Sequence, residues 1–157
     1  MSPVTRLLDS DTATQAAAGR LAKAVRAAGV ESLVIYLNGD LGAGKTTWAR
    51  GFLRGLGHAG RVPSPTYTLV EPYAVKDFAV AHVDLYRLVS PDEVDALALV
   101  ELTGPGTIVL IEWPEHGGDR LPAADLRVEL AVDPAGRRLR PGPRSAGGGS
   151  ISAQQIQ

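Results

Sequence analysis

LVIYLNGDLGAGKTTWARGFLRGLG, residues 33–57, is the stretch on which the fold turns. Leu33–Leu37 is a five-residue apolar run that stops at Asn38-Gly39, the pattern of a strand buried on both faces. Gly39-Asp40-Leu41-Gly42-Ala43-Gly44-Lys45-Thr46 fills the pattern GxxxxGK(S/T) completely. From Lys45 to about Leu56 the periodicity turns helical, with Trp48, Phe52, Leu53 and Leu56 on one stripe, and Gly55 and Gly57 end it. Strand, glycine loop and helix in this order make a phosphate-binding unit. Glycines 39, 42 and 44 let successive backbone N–H groups turn toward one point, and the helix N-terminus adds partial positive charge there. Lys45 supplies a full charge for the β- and γ-phosphates, and the Thr46 hydroxyl is placed for Mg²⁺.

Working outward, Val4–Leu8 reads as a short first strand. Ser10 or Asp11 then caps a helix with Ala17, Leu21, Ala24, Val25 and Ala28 on its apolar face, ending near Gly29. Pro63 and Pro65 make residues 58–66 a loop. Thr68–Val75 and Phe78–Leu85, joined by Lys76-Asp77, read as an antiparallel hairpin. Ser90-Pro91-Asp92-Glu93 carries the marks of a helix start, with Ser at N-cap, Pro at N1 and Glu closing a capping box. Thr107–Ile111 is a buried strand ending in Glu112, and Leu126–Val132 alternates as a half-exposed edge strand. Beyond Gly136 the pattern fades, apart from a short partner strand at Arg137–Arg140. The expected fold is α/β, a three-layer P-loop NTPase-like arrangement with a mixed parallel and antiparallel sheet. The domain is expected over residues 1–135, with 136–157 a disordered Arg/Gly/Ser-rich tail.

Composition narrows the function. The 157 residues contain no cysteine, which excludes a disulfide scaffold and Cys-ligated metal. No apolar run exceeds five residues, so no membrane span or secretory leader is read, and a cytoplasmic protein is the expectation. The net charge of −1 divides into an acidic body (12 basic and 17 acidic residues before Gly136) and a basic tail with four arginines. The near-neutral total argues against a protein that coats nucleic acid through a strongly basic surface.

A phosphate-loop enzyme also needs a carboxylate at a neighbouring strand end, and two are on offer. Ile108–Glu112 is four apolar residues and an acid; Val80–Asp84 is similar, with His82 and Asp84 on one face. Asn38 is the only asparagine, so the Asn-Lys-x-Asp guanine element is absent and ATP is favoured over GTP. Ser64 and Thr66 lie in what reads equally as a nucleotide-sensing loop or a plain surface loop, and Trp113 at a strand end suits either stacking on adenine or packing in the core. The widely spaced His58, His82 and His116 form no metal pattern and are expected to pack or face solvent. Arg50 and Arg54, one turn apart, read as a solvated helix face rather than an arginine finger.

YLNGDLGAGKTTWARGFLRGLG, VPSPTYTLVEPY, HVDLYRL and IEWPE, in this order and spacing, closely resemble the TsaE (YjeE) family of bacterial tRNA threonylcarbamoyladenosine synthesis. The resemblance covers roughly residues 4–135. It implies a weakly active cytoplasmic ATPase working with TsaB and TsaD, touching tRNA only through that complex. Carried over, Lys45 and the loop backbone at Gly39, Gly42, Ala43, Gly44 and Thr47 hold phosphates. Thr46 and Glu112 form the Mg²⁺ shell, and Asp84 orients the attacking water. Ser64 and Thr66 belong to the switch-like loop, and Trp113 lies near the base. A nucleotide-dependent binding module and a small-molecule kinase are the alternatives.

Overall fold

A computed structural model describes residues 5–141. Seven strands form one mixed sheet. In chain order they are β1 (Arg6–Leu8), β2 (Ser32–Asn38), β3 (Val70–Val75), β4 (Phe78–Asp84), β5 (Thr107–Glu112), β6 (Leu126–Asp133) and β7 (Gly136–Pro141). Three α-helices accompany them: α1 (Asp11–Ala27), α2 (Lys45–Gly55) and α3 (Glu93–Leu97). The spatial order is β1-β7-β6-β2-β5-β4-β3. The core quartet β6-β2-β5-β4 is parallel, and the outer pairs β3–β4, β6–β7 and β1–β7 are antiparallel.

Period-two alternation divides the apolar residues between two cores. Leu33, Ile35, Leu37, Ile108, Leu110, Leu126 and Val128 face α1 and α2, against Leu21, Val25, Trp48 and Phe52. Val34, Tyr36, Val83, Val109 and Ile111 face the other way, under Val94 of α3, Leu99, Leu121 and Ala124. The second layer is thin, built from a five-residue helix and short 3₁₀ turns. β2, β4 and β5 are covered on both sides, which is why their sequences run apolar without alternation.

The phosphate-loop helix is set in place by close backbone contact with α1. A Cβ built on Gly51 meets Gln15 Cα and O at 2.4 Å, and one on Gly55 meets Gly19 Cα and O at 2.8 Å. Only hydrogen fits at these positions, so the two helices approach at the backbone. Ser10 caps α1 as expected, its hydroxyl accepting from the Ala13 N–H at 3.0 Å. The Lys76-Asp77 hairpin also forms as read, with Asp77 at φ 76°.

Three expectations are corrected. β6 is not an edge strand, because β7 folds back on it and β1 then pairs with β7, leaving β1 and β3 at the edges. The domain does not stop at residue 135: the partner strand expected at Arg137–Arg140 forms as Gly136–Pro141 with two neighbours in the sheet, and residues 142–157 lie outside the described residues. The Ser90 start yields only a five-residue helix, Glu93–Leu97, preceded by Asp92, whose side chain makes no capping hydrogen bond. Ser90 Oγ accepts from Asp92 N–H at 3.3 Å, and Glu93 reaches back to Val89 N–H at 2.9 Å, so the reciprocal Ser90–Glu93 box does not form.

The glycine contact gives a paired prediction for urea unfolding. Gly51→Ala should lower stability by about 1–3 kcal/mol, overpacking outweighing the roughly 1 kcal/mol gain in helix propensity. Gly19→Ala, whose Cβ would meet Gly51 O at an ordinary 3.6 Å, should be neutral or stabilising. Equal effects would mean that the helix contact yields to a methyl group.

Candidate active site

α2 begins where β2, β4 and β5 end, and there the apolar face turns polar. Lys45, His82, Asp84 and Glu112 are all buried at this end of the sheet. His82, Asp84 and Glu112 continue the rows of Val80 and Leu110 on the α1–α2 face, so strand alternation delivers all three beneath the glycine loop. Gly44, at the N-cap of α2, has φ 105°, a left-handed conformation open to glycine, and Gly42 has φ 78°.

Glu112 is the hub. Its carboxylate accepts from Thr46 Oγ1 at 3.0 and 3.2 Å and lies 2.6 Å from His82 Nε2. His82 is fully buried, and its Nδ1 has no partner among the described residues, so its one polar contact is with Glu112. Asp84 takes the Tyr86 N–H at 2.9 Å and the Thr66 hydroxyl at 3.0 Å, and Thr66 in turn contacts Ser64 Oγ at 2.7 Å. Burial pushes the Asp84 carboxyl above the ordinary aspartate range, with Glu112's charge in the same direction; the Tyr86 and Thr66 hydrogen bonds oppose it. The loop of residues 64–66 is thus hydrogen-bonded to an acid whose proton affinity is raised.

Lys45 donates to the carbonyls of Gly39 and Asp40, the latter at 3.0 Å, and its ammonium stands 3.9 Å from the centre of the Trp113 ring. Burial lowers its proton affinity, while Glu112, Glu115, Asp84 and Asp40 pull the other way. Trp113, at φ 57°, packs on Tyr86 (5.1 Å between centroids) and His116 (5.4 Å). Trp113 therefore sits at the lysine end of the site.

One cleft of about 270 Å³ gathers Gly42, Ala43, Gly44, Lys45, Thr46, Thr47, Ser64, Thr66, Asp84, Glu112 and Trp113. Of the residues singled out from sequence, Gly39 is left out. It lies under the loop, where a Cβ would meet Leu130 O at 2.5 Å. His58 and His116 do pack, against Tyr73 and Trp113. His82 differs, and its shared face with Asp84 was the available sign. Tyr86 and Arg137 also line the cleft. For Arg137 the one sign was the short partner strand at Arg137–Arg140, since it arrives through the pairing of β7.

A family model for "Threonylcarbamoyl adenosine biosynthesis protein TsaE" matches residues 8–139. The tRNA threonylcarbamoyladenosine biosynthesis protein TsaE of Haemophilus influenzae is 49% identical over 100 residues, 64% of this chain and 63% of that protein. The chain thus spans a little under two thirds of that relative's length. The Rickettsia bellii protein of the same name is 36% identical over 134 residues, covering 85% of this chain and 90% of the other. The crystal structure of Bacillus subtilis YdiB superimposes with a TM-score of 0.67 at 27% identity, over 90% of this chain and 86% of that one. The family match extends to Leu139, so it takes in most of the last strand as well as the glycine loop. With its seven-stranded mixed α/β sheet, the chain belongs to the TsaE family of threonylcarbamoyladenosine biosynthesis proteins.

Proposed function

We propose that this chain is a Mg²⁺-dependent ATPase acting in tRNA N6-threonylcarbamoyladenosine modification, in the cytoplasm, and turning over in complex with TsaB and TsaD. The observation that carries the reading is the Thr46 hydroxyl on the Glu112 carboxylate beside the Lys45 ammonium, at the mouth of a left-handed glycine loop. That donor set fits the group. A hydroxyl and a carboxylate oxygen meet at one point next to N–H groups and a cation that suit phosphate. Among the described residues no three His, Asp or Glu side chains form a metal cage, so Mg²⁺ here would draw its remaining ligands from phosphate oxygens and water. Bound there, it would neutralise charge on the β- and γ-phosphate oxygens.

The chain's own residues divide the remaining work. Loop N–H groups and Lys45 face the charge that develops on the γ-oxygens. Glu112 holds Thr46 in place and is itself oriented by His82. Asp84, fixed by Tyr86 N–H and Thr66, is positioned to orient water, and its raised proton affinity suits transient proton acceptance. The exposed side chains of Leu41 and Tyr86 line the cleft, which supports docking of a protein partner over the site. No described helix is long and apolar enough to cross a membrane.

Two measurements test this. Phosphate release from Mg·ATP should be slow alone and rise at least about tenfold, a gain of roughly 1.4 kcal/mol in barrier, with reconstituted TsaB–TsaD. Binding without release would make the chain a nucleotide-dependent docking module, and release only with an added acceptor would make it a kinase. In variants, Lys45→Ala should abolish ATP binding, whereas Glu112→Ala and Asp84→Ala should keep binding and lower turnover about 10²-fold or more. Unchanged turnover in both acid variants would overturn the carboxylate assignment.

A further inference from the structure

The loop of residues 64–69 is fastened to the end of β4 through Asp84 and, just beyond it, through Arg87. The Thr66 hydroxyl donates to Asp84 Oδ2 at 3.0 Å, and the Asp84 N–H donates to the Leu69 carbonyl at 2.9 Å. The Arg87 guanidinium stands 4.2 Å from the centre of the Tyr67 ring. Thr66 and Tyr86 line the cleft, whereas their chain neighbours Tyr67 and Arg87 are exposed, the tyrosine by 80%. The cation and the ring therefore tie together the same two segments as the hydroxyl and the carboxylate, but from the solvent side.

The loop is of a kind that needs such a tie. Leu69 has φ 67°, a left-handed conformation that is unfavourable for a residue with a Cβ, and its N–H closes a turn on the Pro65 carbonyl at 2.8 Å. Backbone held in that region relaxes unless its surroundings over-determine it. Ser64 Oγ lies 2.7 Å from Thr66 Oγ1, a contact internal to the loop that does nothing to hold it on β4. Tyr67 follows Thr66 directly and Arg87 follows Tyr86, whose N–H holds the other Asp84 oxygen at 2.9 Å. Movement of the tyrosine is thus passed straight to the hydroxyl on Asp84.

Resting on the ATP reading above, we propose that Arg87 is a positioning residue for Asp84. Stacked on Tyr67, it holds the loop of residues 64–69 against β4 and so keeps the Thr66 hydroxyl on the carboxylate that orients water. It does this without touching nucleotide. An arginine that reached the γ-phosphate would act independently of Tyr67, and a double-mutant cycle separates the two roles.

The cycle compares Mg·ATP turnover by the intact chain in Arg87→Ala, Tyr67→Ala and the double variant. Each single change should lower kcat about two- to fivefold, the worth of one exposed cation–π contact, with KM within about twofold. The double variant should lose no more than either single one, and Tyr67→Phe, which keeps the ring, should retain the unaltered kcat. A loss of about 10³-fold in Arg87→Ala alone would make the arginine a charge donor to the phosphates. That result, multiplying losses in the double variant, or an unchanged kcat would overturn the proposal. Amide exchange of the nucleotide-free chain reads the same contact without any chemistry. The Leu69 N–H should exchange about two- to fivefold faster in both alanine variants and at the unaltered rate in Tyr67→Phe. Equal rates throughout would overturn the proposal. If the unaltered chain released no phosphate while exchange followed this pattern, the ATP reading would fail and the tie between loop and strand would stand.

Discussion

A carboxylate taken out of water must be bonded or it destabilises the fold by several kcal/mol, and Glu112 is such a group. Its partners come from two different elements, the first turn of α2 and the middle of the sheet. Meeting that requirement fixes where α2 starts relative to β4 and β5. The glycine loop that joins β2 to α2 is consequently suspended over the polar ends of the strands rather than free to wander. His82 adds a second constraint: its buried imidazole has Glu112 as its polar contact among the described residues, so Glu112 cannot turn away without leaving His82 unpaired. The tautomer that donates to Glu112 carries its hydrogen on Nε2.

The same economy governs the scaffold. α2 is held against the sheet by Trp48 and Phe52, whose rings stack 5.4 Å apart, and against α1 by bare backbone at Gly51 and Gly55. Side chains between the helices would carry α2 outward, and with it Thr46. Because interiors are packed at crystal-like density, such a shift would be passed on to the site rather than absorbed. The helix contact and the Thr46–Glu112 bond are therefore two ends of one positioning device.

Much of this was legible before any coordinates. The glycine loop, its flanking strand and helix, the Lys76-Asp77 hairpin and both acids follow from local rules of spacing, alternation and capping. What escaped the reading depends on partners far apart in the chain. Leu126–Val132 alternates like an edge strand because one of its faces is bare, yet both its edges are paired; alternation reports on faces and is silent about neighbours. Arg137 reads as the start of a basic tail or of a short partner strand, and only the pairing of β7 shows that it reaches Gly44. His82 sits in an otherwise apolar strand, where a packed histidine and an acid-orienting one look alike.

The β1–β7 pair has a bearing on synthesis. Arg6 lies opposite Leu139, so one of the first strands to leave the ribosome waits for the last before it has a neighbour. The inner quartet, already non-local and parallel, can assemble around β2 earlier, but β1 has no partner in the sheet until residue 136 and beyond have emerged. The guanidinium beside Gly44 arrives on that same final strand. A nascent or truncated chain can thus own a complete glycine loop and still lack one wall of the groove beside it. The groove is closed only once Gly136–Pro141 has been made and has paired.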